Sequence, residues 1–302
     1  DSLRLAAYPD LEIFVVDNAS KEDASWLKTD YPEIIYISSD KNLGFAGGNN
    51  LAIHQAKGAF VLLINNDTEV PPGFLQPMVQ TFNDHSDAGI VSPTILFYHT
   101  PGLIQYAGTG AIQPLTCRGF TRGYGEMDKG QYKNISQTDL AHGACMMIHA
   151  KVLRDIPGLS EDFFLYYEEY DFCEQAKRLG YTIYHCGLSE IYHKESISVG
   201  KLSPLKAYYM ARNRIVFAKR NFSGFNRFSS ILYYYCLALP KHLFTEMAHR
   251  RYTNAKALLK GARDGFTFRP IRWFSHFNPH YSRFNENKKT EPLMVVFLHH
   301  ES

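Results

Sequence analysis

The stretch Ala59-Phe60-Val61-Leu62-Leu63-Ile64-Asn65-Asn66-Asp67-Thr68-Glu69-Val70-Pro71-Pro72 decides the fold. Its apolar run reads as a buried strand. That strand ends in a carboxylate and then a proline turn, which delivers Asp67 to the carboxyl edge of a sheet. In open α/β sheets that edge is where ligands bind. Taken alone, Asp67 reads equally well as a residue that only caps the following turn. The device recurs upstream in Glu12-Ile13-Phe14-Val15-Val16-Asp17-Asn18-Ala19-Ser20. Downstream, Tyr166-Tyr167-Glu168-Glu169-Tyr170-Asp171 packs three carboxylates into four residues. Three acidic edges in one chain suggest a metal-assisted site.

Outward from that strand, the first hundred residues alternate strand and helix signals. Strands are expected at Leu11–Asp17, Ile34–Ser38, Ala59–Ile64 and Ala88–Ser92. Helices are expected at Lys21–Thr29 behind an N-cap at Ser20, from the turn Asn42–Asn50 to about Lys57, and from Gly73 to Asn83. This rhythm predicts a mainly parallel sheet covered on both faces. Residues 113–135, rich in glycine and aromatics, read as a mobile loop or lid. Further strands are expected within Leu140–His149 and at Tyr181–Cys186, with a helix over Asp162–Leu179 between them. From Pro204 to about Gly265 the pattern is helical, amphipathic and basic.

At 302 residues, 45% hydrophobic and 21% charged, the chain has the composition of a globular enzyme and not of a disordered or fibrous protein. Its five cysteines form no CxxC pair and are odd in number, so they read as reduced thiols in a cytosolic setting without a structural zinc. The opening residues do not read as a secretory leader. The net charge of +2 hides an asymmetry. Residues 1–200 carry 14 Lys and Arg against 25 Asp and Glu, whereas residues 201–289 carry 18 against three. A basic tail on an acidic body suggests an anionic partner surface, lipid or nucleic acid. The tail's apolar segment, Ile231–Leu239, is far short of the roughly 20 residues that a spanning helix needs, so lying on a membrane is the expectation.

Each candidate site has an ordinary counterpart. The glycine-rich turn Asn42–Asn50 suits an anionic or sugar-bearing ligand, and an ordinary tight turn accounts for it equally. It is neither GxGxxG nor a P-loop. Asp17-Asn18 reads either as a strand-end turn or as a carboxylate against a base or ribose. Asp67 suits Mg²⁺ or Mn²⁺, hard cations that take oxygen ligands and share them with substrate phosphates. His193, at a strand end, is more often structural than ligating by itself. Glu168, Glu169 and Asp171 fall in a first helical turn, where the helix dipole favours carboxylates. The aromatic residues Phe163 to Tyr167 beside them would raise a carboxylate's pKa toward that of a general base.

Together the motifs resemble family-2 inverting glycosyltransferases of the GT-A fold, in particular the bacterial rhamnosyltransferase-like branch. The resemblance rests on Val15-Val16-Asp17-Asn18-Ala19-Ser20, Asn42-Leu43-Gly44-Phe45-Ala46-Gly47-Gly48-Asn49-Asn50 and Asn65-Asn66-Asp67-Thr68-Glu69-Val70-Pro71. It continues through Gly143-Ala144-Cys145-Met146-Met147-Ile148, Phe163–Cys173 and Tyr192-His193, in order, over residues 2–220. It implies a GT-A α/β fold with a Rossmann-like mixed sheet over residues 1–200 and a basic helical extension over 201–302. It further implies that Asp17 binds the base or ribose, with Asn18, Asn42, Gly44, Gly47 and Asn50 shaping that pocket. Asn65 and Asn66 would lie along the nucleotide sugar, Asn65 filling the first position of the DxD-type motif in which Asp67 is the working acid.

By the same resemblance Asp67 and His193 would hold Mg²⁺ or Mn²⁺. Glu169 would be the catalytic base, flanked and oriented by Glu168 and Asp171, with Asp171 the rival base. Donors would be UDP- or dTDP-linked, and the acceptor a hydroxyl of a glycan or lipid-linked glycan in cell-surface polysaccharide synthesis. The place would be the cytoplasmic face of the cell membrane, with no nucleic acid involved. The family's opening strand and helix have no counterpart before residue 1, which reads as an N-terminally shortened domain. Two other readings stand beside this one: a sugar-phosphate nucleotidyltransferase, and a non-catalytic protein that binds anionic surfaces through its tail.

Overall fold

The computed structural model describes residues 1–6, 8–194 and 202–270, and the backbone of 293–299. After a 3₁₀ turn (Arg4–Ala6), the elements are β1 (Leu11–Asn18), α1 (Leu27–Asp30), β2 (Ile34–Ser39), α2 (Gly44–Ile53), β3 (Phe60–Asn65), β4 (Thr68–Glu69) and α3 (Leu75–Asp84). Next come β5 (Ala88–Phe97), β6 (Ile104–Tyr106), β7 (Ile135–Thr138), β8 (Cys145–His149), α4 (Ala150–Asp155), α5 (Glu168–Arg178) and β9 (Thr182–His193). The chain continues through α6 (Pro204–Asn221), α7 (Gly224–Tyr233), a π-helical turn (Tyr234–Ala238), α8 (Leu239–Ala248), α9 (Tyr252–Thr267) and β10 (Leu293–His299).

The helix expected over residues 21–29 contracts to the four residues of α1. A local side chain takes an amide that such a helix would use: Asp23 Oδ1 accepts from Ser25 N–H at 2.8 Å. Short acidic side chains compete with helix in this way. The helix expected from Asp162 begins only at Glu168, because Phe164, Tyr166 and Tyr167 adopt positive φ of 64°, 68° and 78°.

The sheet is mixed, in the order β2-β1-β10-β3-β8-β5-β9-β4, with β6 paired to β5 and β7 to β9. Strands β2, β1, β10 and β3 run parallel; β8 is antiparallel to both its neighbours; β9 is parallel to β5. Alternate residues of β3 enter different cores. Val61 and Leu63 join Phe14, Val16, Phe163, Phe172 and Phe217, whereas Phe60, Leu62 and Ile64 join Leu75, Met78 and Val91. That period of two is what a strand buried on both faces requires.

The slot between β1 and β3 corrects one expectation. Residues 293–299, within the segment expected to be a helical extension, form strand β10 and fill that slot. Its ladders pair Leu11 to Asp17 with Leu293 to His299, and Leu293 to Leu298 with Phe60 to Asn65. Without it the inner edges of β1 and β3 would leave rows of backbone groups unbonded in mid-sheet. The rest of the expected extension beyond residue 270 lies outside the described residues.

Hydrogen bonds from α6 reach back across the expected boundary at residue 200 and hold the turn leading into α5. The fully buried Asn213 donates through Nδ2 to the carbonyls of Phe163, Leu165 and Tyr166 at 2.7, 2.7 and 2.9 Å. Arg220 grips Asp171 with two 2.9 Å bonds and reaches Asp162 at 2.9 Å. Both interactions hold a backbone that costs roughly 1–3 kcal/mol per left-handed non-glycine residue. Asn213→Ala is therefore expected to lose about 3 kcal/mol in denaturant unfolding, about 1 kcal/mol per bond removed. A loss below about 0.5 kcal/mol would mean that the turn stands without that amide.

Candidate active site

The Asp67 half of the site is built by backbone pairing. β4 runs antiparallel to β9 with Thr68 opposite His193, and Lys194 N–H donates to Asp67 O at 2.9 Å, so the two side chains meet at the sheet edge. His193 Nε2 lies 3.1 Å from Asp67 Oδ1. Neither atom makes a hydrogen bond of acceptable geometry, although both are shut away from water. On its other side His193 Nδ1 is 2.8 Å from Gln105 Oε1, an amide oxygen that can only accept. Nδ1 therefore carries a proton, and Nε2 faces the carboxylate oxygen. Two close, unbonded donor atoms with an outer partner orienting the ring fit a hard divalent cation. Among the described residues no third His, Cys, Asp or Glu completes a ligand group. The remaining positions would fall to substrate oxygens and water, as is usual for Mg²⁺.

The Glu169 half sits at the start of α5. Tyr167, in the left-handed N-cap position, ends the turn held by Asn213 and launches Glu168 and Glu169 into the first helical turn. Glu168 is 3% exposed, and one oxygen of each glutamate is buried without a hydrogen-bond partner. Burial pushes the Glu169 carboxyl up to about 7. Burial, and then the neighbouring Glu169 charge, raise Glu168 well above the ordinary carboxylate range. A carboxylate poised near neutrality beside an aromatic cluster suits proton abstraction.

One short segment joins the halves. Gly143 lies directly against Glu169: a Cβ there would be 3.8 Å from the Glu169 Cγ and Cδ atoms. The adjacent His142 ring is 6.2 Å, centroid to centroid, from the His193 ring. The segment is clamped from both sides, since Ala141 N–H donates to Cys173 Sγ of α5 at 3.4 Å and Asn65 N–H of β3 donates to Ala144 O at 3.0 Å. Ala144 N–H donates to His142 Nδ1 at 3.1 Å, which puts the proton on Nε2. Burial holds the His142 pKa down to about 3, with His193 adding to the effect, so the ring is neutral.

The other expected residues divide. Asp171, expected as the rival base, is 1% exposed, and its two oxygens are taken by Arg220, Asn221 and Gln175 at 2.6–2.9 Å. Both oxygens are thereby committed to bonds within α5 and to α6, an environment opposite to the one a free base needs. Asp17 accepts from Ser20 N–H and, at 2.8 Å, from Tyr36 O–H, whose pKa burial and that bond push up to about 12. Asn18 accepts from Leu43 N–H and donates to Gly44 O, tying the glycine-rich segment to the end of β1. Asn42 caps Gly44 N–H.

The glycines are set against protein. A side chain on Gly44, at φ +71°, would collide with the Phe164 carbonyl, and one on Gly47 would meet Leu43 Cβ at 2.7 Å. Asn50 bonds Leu159 on both its N–H and C=O and also reaches Glu161. Asn42, Gly44, Gly47 and Asn50 therefore support the wall that carries Phe164 and α5. Asn65, at the end of β3, and Asn66, in the exposed turn after it, flank Asp67. Gln105, His142, Asn213 and Arg220 were not anticipated. His142 stood beside the quoted Gly143–Ile148 motif, but no spacing rule pairs it with a histidine 51 residues away.

The chain is 30% identical over 226 residues to the low-salt glycan biosynthesis hexosyltransferase Agl10 of Haloferax volcanii, covering 70% of this chain and 68% of the relative. It is 22% identical to N-acetylglucosaminyl-diphospho-decaprenol L-rhamnosyltransferase of Mycobacterium tuberculosis, covering 85% and 91%. Among solved structures, the mannosyltransferase PcManGT of Pyrobaculum calidifontis in complex with GDP-Man and Mn²⁺ superposes with a TM-score of 0.52 at 14% identity, covering 91% of this chain and 82% of that one. The mixed sheet flanked by helices is thus that of GT-A glycosyltransferases. The family described as Glycosyl transferase family 2 matches residues 1–156, and the chain belongs to that family of glycosyltransferases.

Proposed function

We propose that the chain moves a hexosyl or rhamnosyl-type unit from a UDP- or dTDP-linked donor to a hydroxyl of a glycan or lipid-linked acceptor, inverting the anomeric centre. The setting would be cell-surface polysaccharide synthesis on the inner face of the membrane. One observation carries this reading: the Asp67–His193 pair and the raised Glu169 flank the same His142-Gly143 segment, which supports phosphate handling and proton abstraction at one site. The relatives act on sugars and, in one case, on a decaprenol-linked acceptor, which supports the substrate class.

In this mechanism Asp17 and the wall at Asn18, Asn42, Gly44, Gly47 and Asn50 take the nucleoside, and Asn65 and Asn66 lie along the donor. Asp67 and His193 would hold Mg²⁺ or Mn²⁺, which when bound offsets the negative charge gathering on the leaving diphosphate. Glu169, as its carboxylate, takes the proton of the acceptor hydroxyl. The acceptor oxygen bonds to the anomeric carbon as that carbon's bond to the diphosphate breaks, from the opposite face. Glu168 stays protonated and keeps the second charge out of the pocket. His142, neutral with its proton on Nε2, cannot ligate a cation through that atom and instead donates a hydrogen bond to the transferred sugar.

Glu169→Gln is expected to cut turnover by about 10²- to 10⁴-fold while nucleoside diphosphate still raises the melting temperature; near-normal turnover would reassign the base. For the parent enzyme kcat should rise with pH and level off above about 7, since Glu169 works deprotonated and its pKa is pushed up to about 7. A rate that falls across that window would contradict the role. Chelation of divalent ions should abolish transfer, with Mn²⁺ restoring it, and His193→Ala should raise the Mn²⁺ concentration needed for half-activity. Release of free nucleoside diphosphate would support transfer, and release of pyrophosphate would support nucleotidyl chemistry. His142→Ala should raise the KM for the nucleotide sugar and leave binding of the nucleoside diphosphate unchanged; equal loss of both would make His142 structural only.

A further inference from the structure

Helix α7, the π-helical turn and α8 form one rod from Gly224 to Ala248. Its exposed positions include Phe225, Phe228, Leu232, Cys236, Pro240, Phe244 and Met247, spaced three or four residues apart and all apolar. Phe225, Phe228 and Phe244 are 79%, 63% and 75% exposed. The wider π turn keeps the stripe on one side of the rod, because its i→i+5 bonds place more residues in each turn. The opposite side is committed to the protein: Ser230, Tyr234 and Leu239 are buried, Ser230 Oγ is 3.1 Å from Cys117 Sγ, and the Arg214 guanidinium lies over Tyr234 at 4.7 Å. A line of bulky apolar side chains in water exceeds the scatter of single exposed residues normal for a surface and marks an interaction face.

Charge says what covers it. Residues 202–270 carry thirteen Lys and Arg against Glu246 and Asp264 alone. Arg227 lines two adjoining grooves along α7. One, of about 360 Å³, is walled by Lys219, Arg269 and Phe268; the other, of about 410 Å³, by Phe228, Leu232 and Tyr235. The cationic end therefore runs into the apolar end. A second copy of this face would bring the same strong positive charge, which opposes self-pairing. Among the described residues no helix is long and apolar enough to cross a membrane.

We propose that this face docks on an anionic bilayer, with Phe225, Phe228, Leu232 and Phe244 entering the headgroup region and Arg227, Lys241 and Arg269 meeting lipid phosphates. It has the layout of an interfacial amphipathic helix, apolar on one face and basic beside it. The inference deepens the proposed function by fixing which side of the enzyme meets the surface that carries its acceptor. The docked rod leans on Cys117, and α6 beneath it packs Phe217 against Tyr167, next to Glu168 and Glu169.

The test is flotation of the full chain with phosphatidylcholine vesicles containing or lacking phosphatidylglycerol, for the parent and for a Phe225→Ser, Phe228→Ser, Phe244→Ser triple variant. The parent should float with the anionic vesicles only, and less so as salt rises. The triple variant should lose about tenfold or more of that binding while nucleoside diphosphate still raises its melting temperature. Binding of the triple variant equal to the parent's would overturn the proposal. So would a parent that ignores vesicles and is dimeric by light scattering, with the triple variant monomeric, because the stripe then covers a second copy. Glu169→Gln should float like the parent, so failure of the catalytic assignment and failure of the docking face give different results.

Discussion

Much of the molecule depends on the amide of Asn213. A single buried Nδ2 holds three carbonyls of the 163–167 turn, in which Phe164, Tyr166 and Tyr167 occupy left-handed backbone. Such a conformation persists only where its surroundings over-determine it. Here they do so from several directions: Asn213 and Arg220 from α6, and Phe45 N–H of α2 donating to Phe164 O at 2.6 Å. The strain has a use. It turns the chain abruptly, so that α5 starts with Glu168 buried and Glu169 set against Gly143, one oxygen of each shut away from water.

That burial generates the chemistry. A carboxylate in a first helical turn is ordinarily stabilised as the anion by the helix dipole. Desolvation opposes the dipole and wins, so Glu169 rises to about 7 and Glu168 further from its ordinary range. Asp171, two residues on from Glu169, experiences the opposite environment, a bidentate guanidinium, and serves as an anchor. Three carboxylates within four residues thus acquire different roles through their partners. At the sheet edge a neighbour likewise orients a side chain: Gln105 accepts from His193 Nδ1 and turns Nε2 toward Asp67.

The basic C-terminal helices are part of the packing that positions Glu168 and Glu169. α6 supplies Arg212, Asn213, Arg220 and Asn221 to the turn before α5 and to α5 itself. The same helix supports α7 through Arg214, which also donates to the carbonyls of Leu115 and Thr116. The loop expected to be a mobile lid is therefore pinned by α6 near Leu115 and by Ser230 at Cys117. The exposed apolar face of α7 and α8 and the helix that carries Glu169 belong to one packed unit.

By itself the sequence determined the strand rhythm of the first hundred residues, the carboxyl-edge position of Asp67, and the placing of Glu168 and Glu169 at a helix start. Apolar periodicity and turn chemistry are local, and local patterns are written in consecutive residues. It determined the family as well, because ordered motifs with fixed spacing survive where each alone is weak. It did not reveal the helix shortened where Asp23 takes the Ser25 amide, or the left-handed Phe164, Tyr166 and Tyr167, because both outcomes turn on competing hydrogen bonds that periodicity ignores. Only the tertiary structure decided that Asp171 is neutralised by Arg220, that Gln105 orients His193, and that residues 293–299 fill the gap between β1 and β3. Each of these joins residues roughly 50 to nearly 300 positions apart, and such pairings are set by how the layers close over one another.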